Sequence, residues 1–160
     1  MKLIFLDVDG VLNTPRTQRR LKVCNEFTFV DTRKVLRLRD IVERTGAKLV
    51  LSSTWRFGAD PKAFYLEREA LRELVAEFRR LRCPLWFDIT PWFPRAKRWQ
   101  EVNGWLIQHP EVESFIILDD MGVEEFRPMI DHLVKCDPCK GLTKERAELA
   151  IKMLGEVENE

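Results

Sequence analysis

Residues 1–13 read MKLIFLDVDGVLN. A short apolar run, Leu3 to Leu6, ends on two aspartates, Asp7 and Asp9, separated by a single valine. Gly10 and a second apolar pair, Val11 and Leu12, follow at once. A run of bulky apolar residues this short fits a strand buried on both faces, as in a parallel sheet. Two carboxylates crowding the small volume where such a strand ends are costly unless they serve a purpose.

The same pattern recurs along the chain. Lys48–Leu51 reads as a second buried strand and ends at SSTWR, with Ser52 and Ser53 at its tip. Residues 114–118 form a fourth strand, closed by Asp119 and Asp120. Shorter candidates lie at 85–89 and 132–136. Helical patterns fall between them. Asp31 or Thr32 caps a helix with the apolar stripe Val35, Leu38, Ile41 and Val42, stopped by Gly46. Pro61 suits the first turn of a second helix, with the stripe Leu71, Leu74, Val75, Phe78 and Leu81. A third helix spans 98–109, and Thr143 caps a fourth that ends near Leu154. Strands alternating with helices predict an α/β fold, with a central parallel sheet of about five strands and helices on both faces. In such sheets the site lies beyond the carboxyl ends of the strands, where Asp7, Asp9, Ser52, Ser53, Asp119 and Asp120 stand.

Four carboxylates converging at one sheet edge repel one another unless a cation sits among them. Hard oxygen donors suit Mg2+, which binds through a few carboxylates, water and substrate phosphate. Without a histidine at these strand ends, zinc and iron fit less well. An ionised aspartate can attack phosphorus covalently, and a neighbouring carboxyl can pass a proton to the leaving oxygen and later take one from water.

On these motifs the sequence resembles phosphatases of the haloacid dehalogenase (HAD) superfamily. The resemblance covers about residues 1–155 and implies a Rossmannoid three-layer sandwich. It also implies Asp7 as nucleophile and Asp9 as general acid and base. A serine ending the second strand would bind the phosphoryl group, either Ser52 or Ser53. A basic residue before the fourth strand would join it, either Lys97 or Arg98, with Arg95 competing. Mg2+ would be held by Asp7, the main-chain carbonyl of Asp9, and the acidic pair Asp119 and Asp120. The stretches LSSTWR, FIILDD and KGLT are similar to the HAD domain of Swiss-army-knife RNA repair proteins.

Many members of the superfamily select substrates with an inserted cap. Here 14–30 reads as a flap and 56–96 as a short helical insertion, so one domain over 1–160 without a full cap is expected. An open site suits a large substrate, such as a polynucleotide end, or a nucleotide. Residues 14–46 hold nine Lys/Arg against four Asp/Glu, and 79–98 hold six against one, although the whole chain is near neutral at +1. A basic segment is most often a solvated helix face. If the substrate is polyanionic, Arg19 and Arg20 on the flap line its entrance. The rings of Trp86, Phe87, Trp92, Phe93 and Trp99 serve core packing or the stacking of an unpaired base. Two other readings stay open: a phosphatase of a phosphoprotein or small metabolite, and a binding module without turnover. No P-loop occurs, no apolar run reaches membrane-spanning length, and no signal peptide precedes Asp7. Four cysteines in 160 residues read as reduced thiols rather than a disulfide scaffold, and a cytoplasmic setting is expected.

Overall fold

A computed structural model describes residues 1–17, 30–60, 62 and 65–157. Arg19, Arg20, Cys24, Pro61 and most of the expected flap lie outside the described residues. Five parallel strands form one sheet: β1 (Lys2–Leu6), β2 (Lys48–Leu51), β3 (Asp88–Ile89), β4 (Ser114–Asp119) and β5 (Leu133–Lys135), in the order β3-β2-β1-β4-β5. The helices are α1 (Thr32–Thr45), α2 (Tyr65–Arg80), α3 (Arg98–Leu106) and α4 (Lys144–Leu154), with 3-10 turns at Thr54–Ala59, Val123–Glu125 and Arg127–His132.

The alternation of side chains along each strand divides the core in two. Ile4 and Leu6 of β1 point to one face, with Leu49, Leu51, Ile116 and Leu118. There they meet Val35, Leu38 and Ile41 of α1, Leu74 and Phe78 of α2, and Ala150 and Ile151 of α4. Leu3 and Phe5 point to the other face, against Val102 and Trp105 of α3 and Phe126. The fold is therefore three layers, with helices on both sides of a fully parallel sheet. Each of the Leu, Ile and Phe side chains sealed in this way adds about 1.5–3 kcal/mol of hydrophobic stabilisation.

The helix ends follow their local chemistry. Asp31 caps α1 by accepting a hydrogen bond from the Arg33 amide at 2.9 Å. Gly46 stops it at φ +67°, returning its N–H to the Val42 carbonyl. Thr143 caps α4 by accepting from the Arg146 amide. The third strand is shorter than the expected 85–89: Asp88 and Ile89 are in register with β2, and the Phe87 amide adds one bond to the Leu49 carbonyl at 3.0 Å. Pro84 has no amide to donate, and Leu85 and Phe87 are exposed. Helix α3 ends at Leu106 rather than at residue 109; from there the amide of His109 bonds the Leu106 carbonyl in a turn. Among the described residues, a helical turn at 15–17 and α1 lie between β1 and β2, and no helix is long and apolar enough to cross a membrane.

Candidate active site

The strand register sets the site. Leu6 stands beside Leu51 of β2 and Leu118 of β4, so these three strands end level. The Asp7 amide bonds the Leu118 carbonyl at 2.9 Å, and the Ser52 amide bonds the Leu6 carbonyl at 2.8 Å. Asp7, Ser52 and Asp119 thus emerge side by side where the strand order reverses around β1, the usual crevice of an open α/β sheet.

After Asp7 the chain turns tightly, with the Val8 carbonyl accepting from the amides of Val11, Leu12 and Asn13. Gly10 makes the turn at φ +68°. A Cβ there would fall 2.0 Å from Asp120 Oδ2, so the glycine is required both by its backbone and by the carboxylate over it. Both oxygens of Asp9 are engaged: Oδ1 accepts from Asn13 Nδ2 and Oδ2 from the Trp55 indole N–H, each at 2.9 Å.

The carboxylates of Asp7, Asp119 and Asp120 each offer an oxygen within 4.8 Å of the others. Asp119 is buried; its Oδ1 accepts from the Met121 amide at 2.8 Å, while its Oδ2 has no hydrogen-bond partner. Burial, and then the charge of Asp119, push Asp7 up to about 8; Arg98 and a hydrogen bond from the Ser53 hydroxyl pull the other way. Burial raises Asp119 to about 6, and it also raises Asp120. The cluster as it stands has more negative charge than its surroundings can carry. An orphaned buried oxygen among three hard donors is what a small divalent cation requires.

Positive charge enters from α3. Arg98 Nε lies 3.9 Å from Asp119 Oδ2, and its Nη1 bonds Glu101 Oε2 at 3.1 Å. Lys97 is exposed and reaches the Glu124 carbonyl instead, and Arg95 is exposed on the preceding turn. Of the three basic candidates, the fold brings Arg98 to the carboxylates. Of the two serines, Ser53 is the one whose hydroxyl helps hold the Asp7 pKa down, while the Ser52 hydroxyl accepts from that of Thr90 at 3.5 Å. Asp9, expected to offer its main-chain carbonyl to the metal, has its carboxylate committed to Asn13 and Trp55.

The strand-end motifs do not point to four neighbours: Asn13, Trp55, Arg56 and Glu101. Arg56 is buried, bonding Glu101 Oε1 and the Ser53 carbonyl, each at 2.9 Å. Glu101 therefore joins Arg56 to Arg98. Its spacing of three residues from Arg98 on a predicted helix was a readable signal. The contacts of Trp55 with Asp9 and of Arg56 with Glu101 span more than forty residues and left none. Of the aromatic cluster, Trp86 packs on Phe78 and Trp99 on the second core. Trp92 stands 58% exposed, its ring edge-on to Phe57.

A family model described as the HAD domain in Swiss Army Knife RNA repair proteins matches residues 3–147. No curated protein and no solved structure matches the chain. The chain belongs to that HAD-domain family, as the motifs at its strand ends implied.

Proposed function

We propose that this member of the HAD-domain family is a Mg2+-dependent phosphomonoester hydrolase that works through an aspartyl-phosphate on Asp7, with a nucleic-acid end or nucleotide as substrate. The observation that carries the reading is the trio Asp7, Asp119 and Asp120, the first two buried, around an oxygen without a hydrogen-bond partner, next to an Asp9 oriented by two donors.

Asp7, Asp119 and Asp120 would hold the metal, which supplies charge neutralisation for the carboxylates and the phosphoryl oxygens. Asp7, held largely protonated by burial, becomes an ionised nucleophile once positive charge is present beside it. Ser53 and Arg98 are placed to hold phosphoryl oxygens. The Asp7 carboxylate attacks phosphorus; the bond to the leaving oxygen breaks, and that oxygen takes its electron pair and the proton of Asp9. Asp9, now ionised, removes a proton from water as the water oxygen attacks the same phosphorus. The bond to Asp7 breaks, inorganic phosphate departs, and both aspartates return to their starting forms.

The family's RNA-repair description and the basic segments support a nucleic-acid substrate. A panel of phosphorylated oligoribonucleotides, nucleotides, phosphopeptides and sugar phosphates, each with Mg2+ or EDTA, tests the proposal. Release of phosphate from oligonucleotides or nucleotides that EDTA abolishes is expected. Undiminished turnover in EDTA, or none on any phosphomonoester, would overturn it.

A further inference from the structure

Beside the candidate active site lies a cavity of about 430 Å³ bounded by residues 14–17, the start of α1 and the loop leading into α4. Six cationic side chains line it: Arg16, Arg33, Lys34, Arg37, Lys140 and Lys144. Asp31 and Glu145 are the acids among its described lining residues, leaving an excess of four positive charges among those residues. This concentration contrasts with the near-neutral chain.

Two of the cations form the cavity's inner wall. Lys34 is buried, with its Nζ 3.2 Å from both the Thr17 hydroxyl and Asp31 Oδ2. Arg37 donates to the Leu142 carbonyl at 2.8 Å. Arg16, Arg33, Lys140 and Lys144 are exposed at the rim. Lys34 is paired with Asp31, and the exposed cations at the rim outnumber the remaining acid, so the cavity attracts anions.

The cavity is tied to the turn that carries Asp9. The Asp31 amide, at the head of α1, bonds the Leu12 carbonyl, and the Leu142 amide bonds the Val11 carbonyl, each at 2.8 Å. Gly141 permits the second contact, since a Cβ there would fall 2.6 Å from the Val11 carbonyl and 2.4 Å from Lys34 Cε. Thr14, on the cavity wall, directly follows Asn13, whose side chain holds Asp9. The basic cavity and the carboxylates therefore share one rigid turn.

We infer that this cavity binds backbone phosphates of a polynucleotide adjacent to the phosphomonoester held at Asp7. The inference rests on the hydrolase reading and specifies its substrate as a chain of phosphates rather than a single one. A mononucleotide carrying one phosphate would leave the cavity empty. The walls are charged or hydroxyl side chains with one cysteine, which suits a phosphodiester better than the apolar side chains of a phosphopeptide.

The test uses the whole chain and the double variant Arg33→Glu/Lys144→Glu, two rim residues outside the catalytic set. For a terminally phosphorylated oligoribonucleotide, KM should rise about tenfold and its salt dependence should flatten by about 0.7 per lost contact on a log–log plot. Kinetics on a nucleoside monophosphate and on an aryl phosphate should not change, and Arg33→Lys/Lys144→Arg should restore the oligonucleotide KM. Equal losses on all substrates, or a loss confined to an acidic phosphopeptide, would overturn the inference. A loss on a nucleoside 3′,5′-bisphosphate as large as that on the oligonucleotide would overturn the polynucleotide assignment in favour of a nucleotide. A second measurement does not depend on turnover: fluorescence anisotropy of an oligoribonucleotide with hydroxyl ends, titrated across KCl concentrations. Weaker and less salt-sensitive binding by the variant supports the cavity even if the protein hydrolyses nothing; superimposable curves overturn it even if the phosphatase reading holds. Should that variant fail to fold, Arg16→Glu/Lys140→Glu, at two other exposed lining residues, gives the same readouts.

Discussion

Asp7 and Glu101 are both carboxylates almost sealed from solvent, 6% and 5% exposed, yet their surroundings differ in kind. Glu101 has an arginine on each oxygen, Arg56 on one and Arg98 on the other. Asp7 lies beside Asp119, a second buried carboxylate with an oxygen that accepts no hydrogen bond, and the nearby donors do not offset their burial. Removing a partner from a buried ion pair costs more than the pair itself contributes, so the Glu101 pair is architecture. A buried group short of partners costs stability on its own and is repaid only when a ligand arrives. The difference separates what holds the site from what the site holds.

The sharpest way to break this comparison is Asp7→Asn. Turnover should fall by about 10⁴-fold, since an amide is a poor nucleophile. The metal-free protein should at the same time melt at a higher temperature near pH 8, because a buried charge has been removed. Single-turnover assays and thermal melts in EDTA check the two arms; a variant that is active, or that melts lower, contradicts the role given to Asp7.

The opposite behaviour is expected on the paired side. Arg56→Ala leaves Glu101 with half of its compensation and should cost roughly 3–5 kcal/mol, or about 10 °C in melting temperature, whether or not Mg2+ is present. A loss confined to activity, with an unchanged melting curve, would show that the pair is not structural.

The third expectation concerns pH. The folded-state values of Asp7 and Asp119, about 8 and about 6, lie above the ordinary 3.8 of an unfolded aspartate. The folded chain holds those protons more tightly, so this contribution is complete below pH 4 and is lost as pH rises through 6 and 8. In EDTA the melting temperature should therefore fall by about 5 °C or more between pH 5 and pH 8.5, and saturating Mg2+ should flatten the slope. A metal-free melting temperature that rises over that range would refute the account.

The smallest effect is expected at Trp55. Trp55→Phe keeps most of the ring and deletes the N–H that holds Asp9. The rate on alkyl phosphates, whose leaving group needs a proton, should fall about tenfold, and the rate on an activated aryl phosphate should fall less. Equal losses on both would show that Trp55 does not act through Asp9.

The strands were legible because β1, β2 and β4 are unbroken apolar runs, a pattern that parallel burial produces directly. The strand-end aspartates followed from the same runs. Ser52 and Ser53 could not be separated, because the chain leaves the strand there and Ser53 caps the 3-10 turn that follows. Face alternation no longer fixes direction at such a point. Lys97 and Arg98 differ by one step at a helix start, so their directions depend on the helical phase, which the sequence leaves open by a residue or two. The edge strand β3 was overread, since its apolar letters belong mostly to exposed side chains. Trp55 and Arg56 find Asp9 and Glu101 only through the fold.

The socket at Gly10 has a further consequence for comparing chains. Asp120 occupies the volume where a side chain at position 10 would begin, although 110 residues separate the two in the sequence. A related chain with anything larger at the corresponding position must move its last carboxylate from the place it holds here; that one letter then signals an acidic cluster arranged differently. The converse guides transplantation of the site: grafting DVDG onto another parallel sheet carries over the emptiness above the glycine as well as the aspartates, and the graft stays incomplete until the neighbouring strand delivers a carboxylate to fill it.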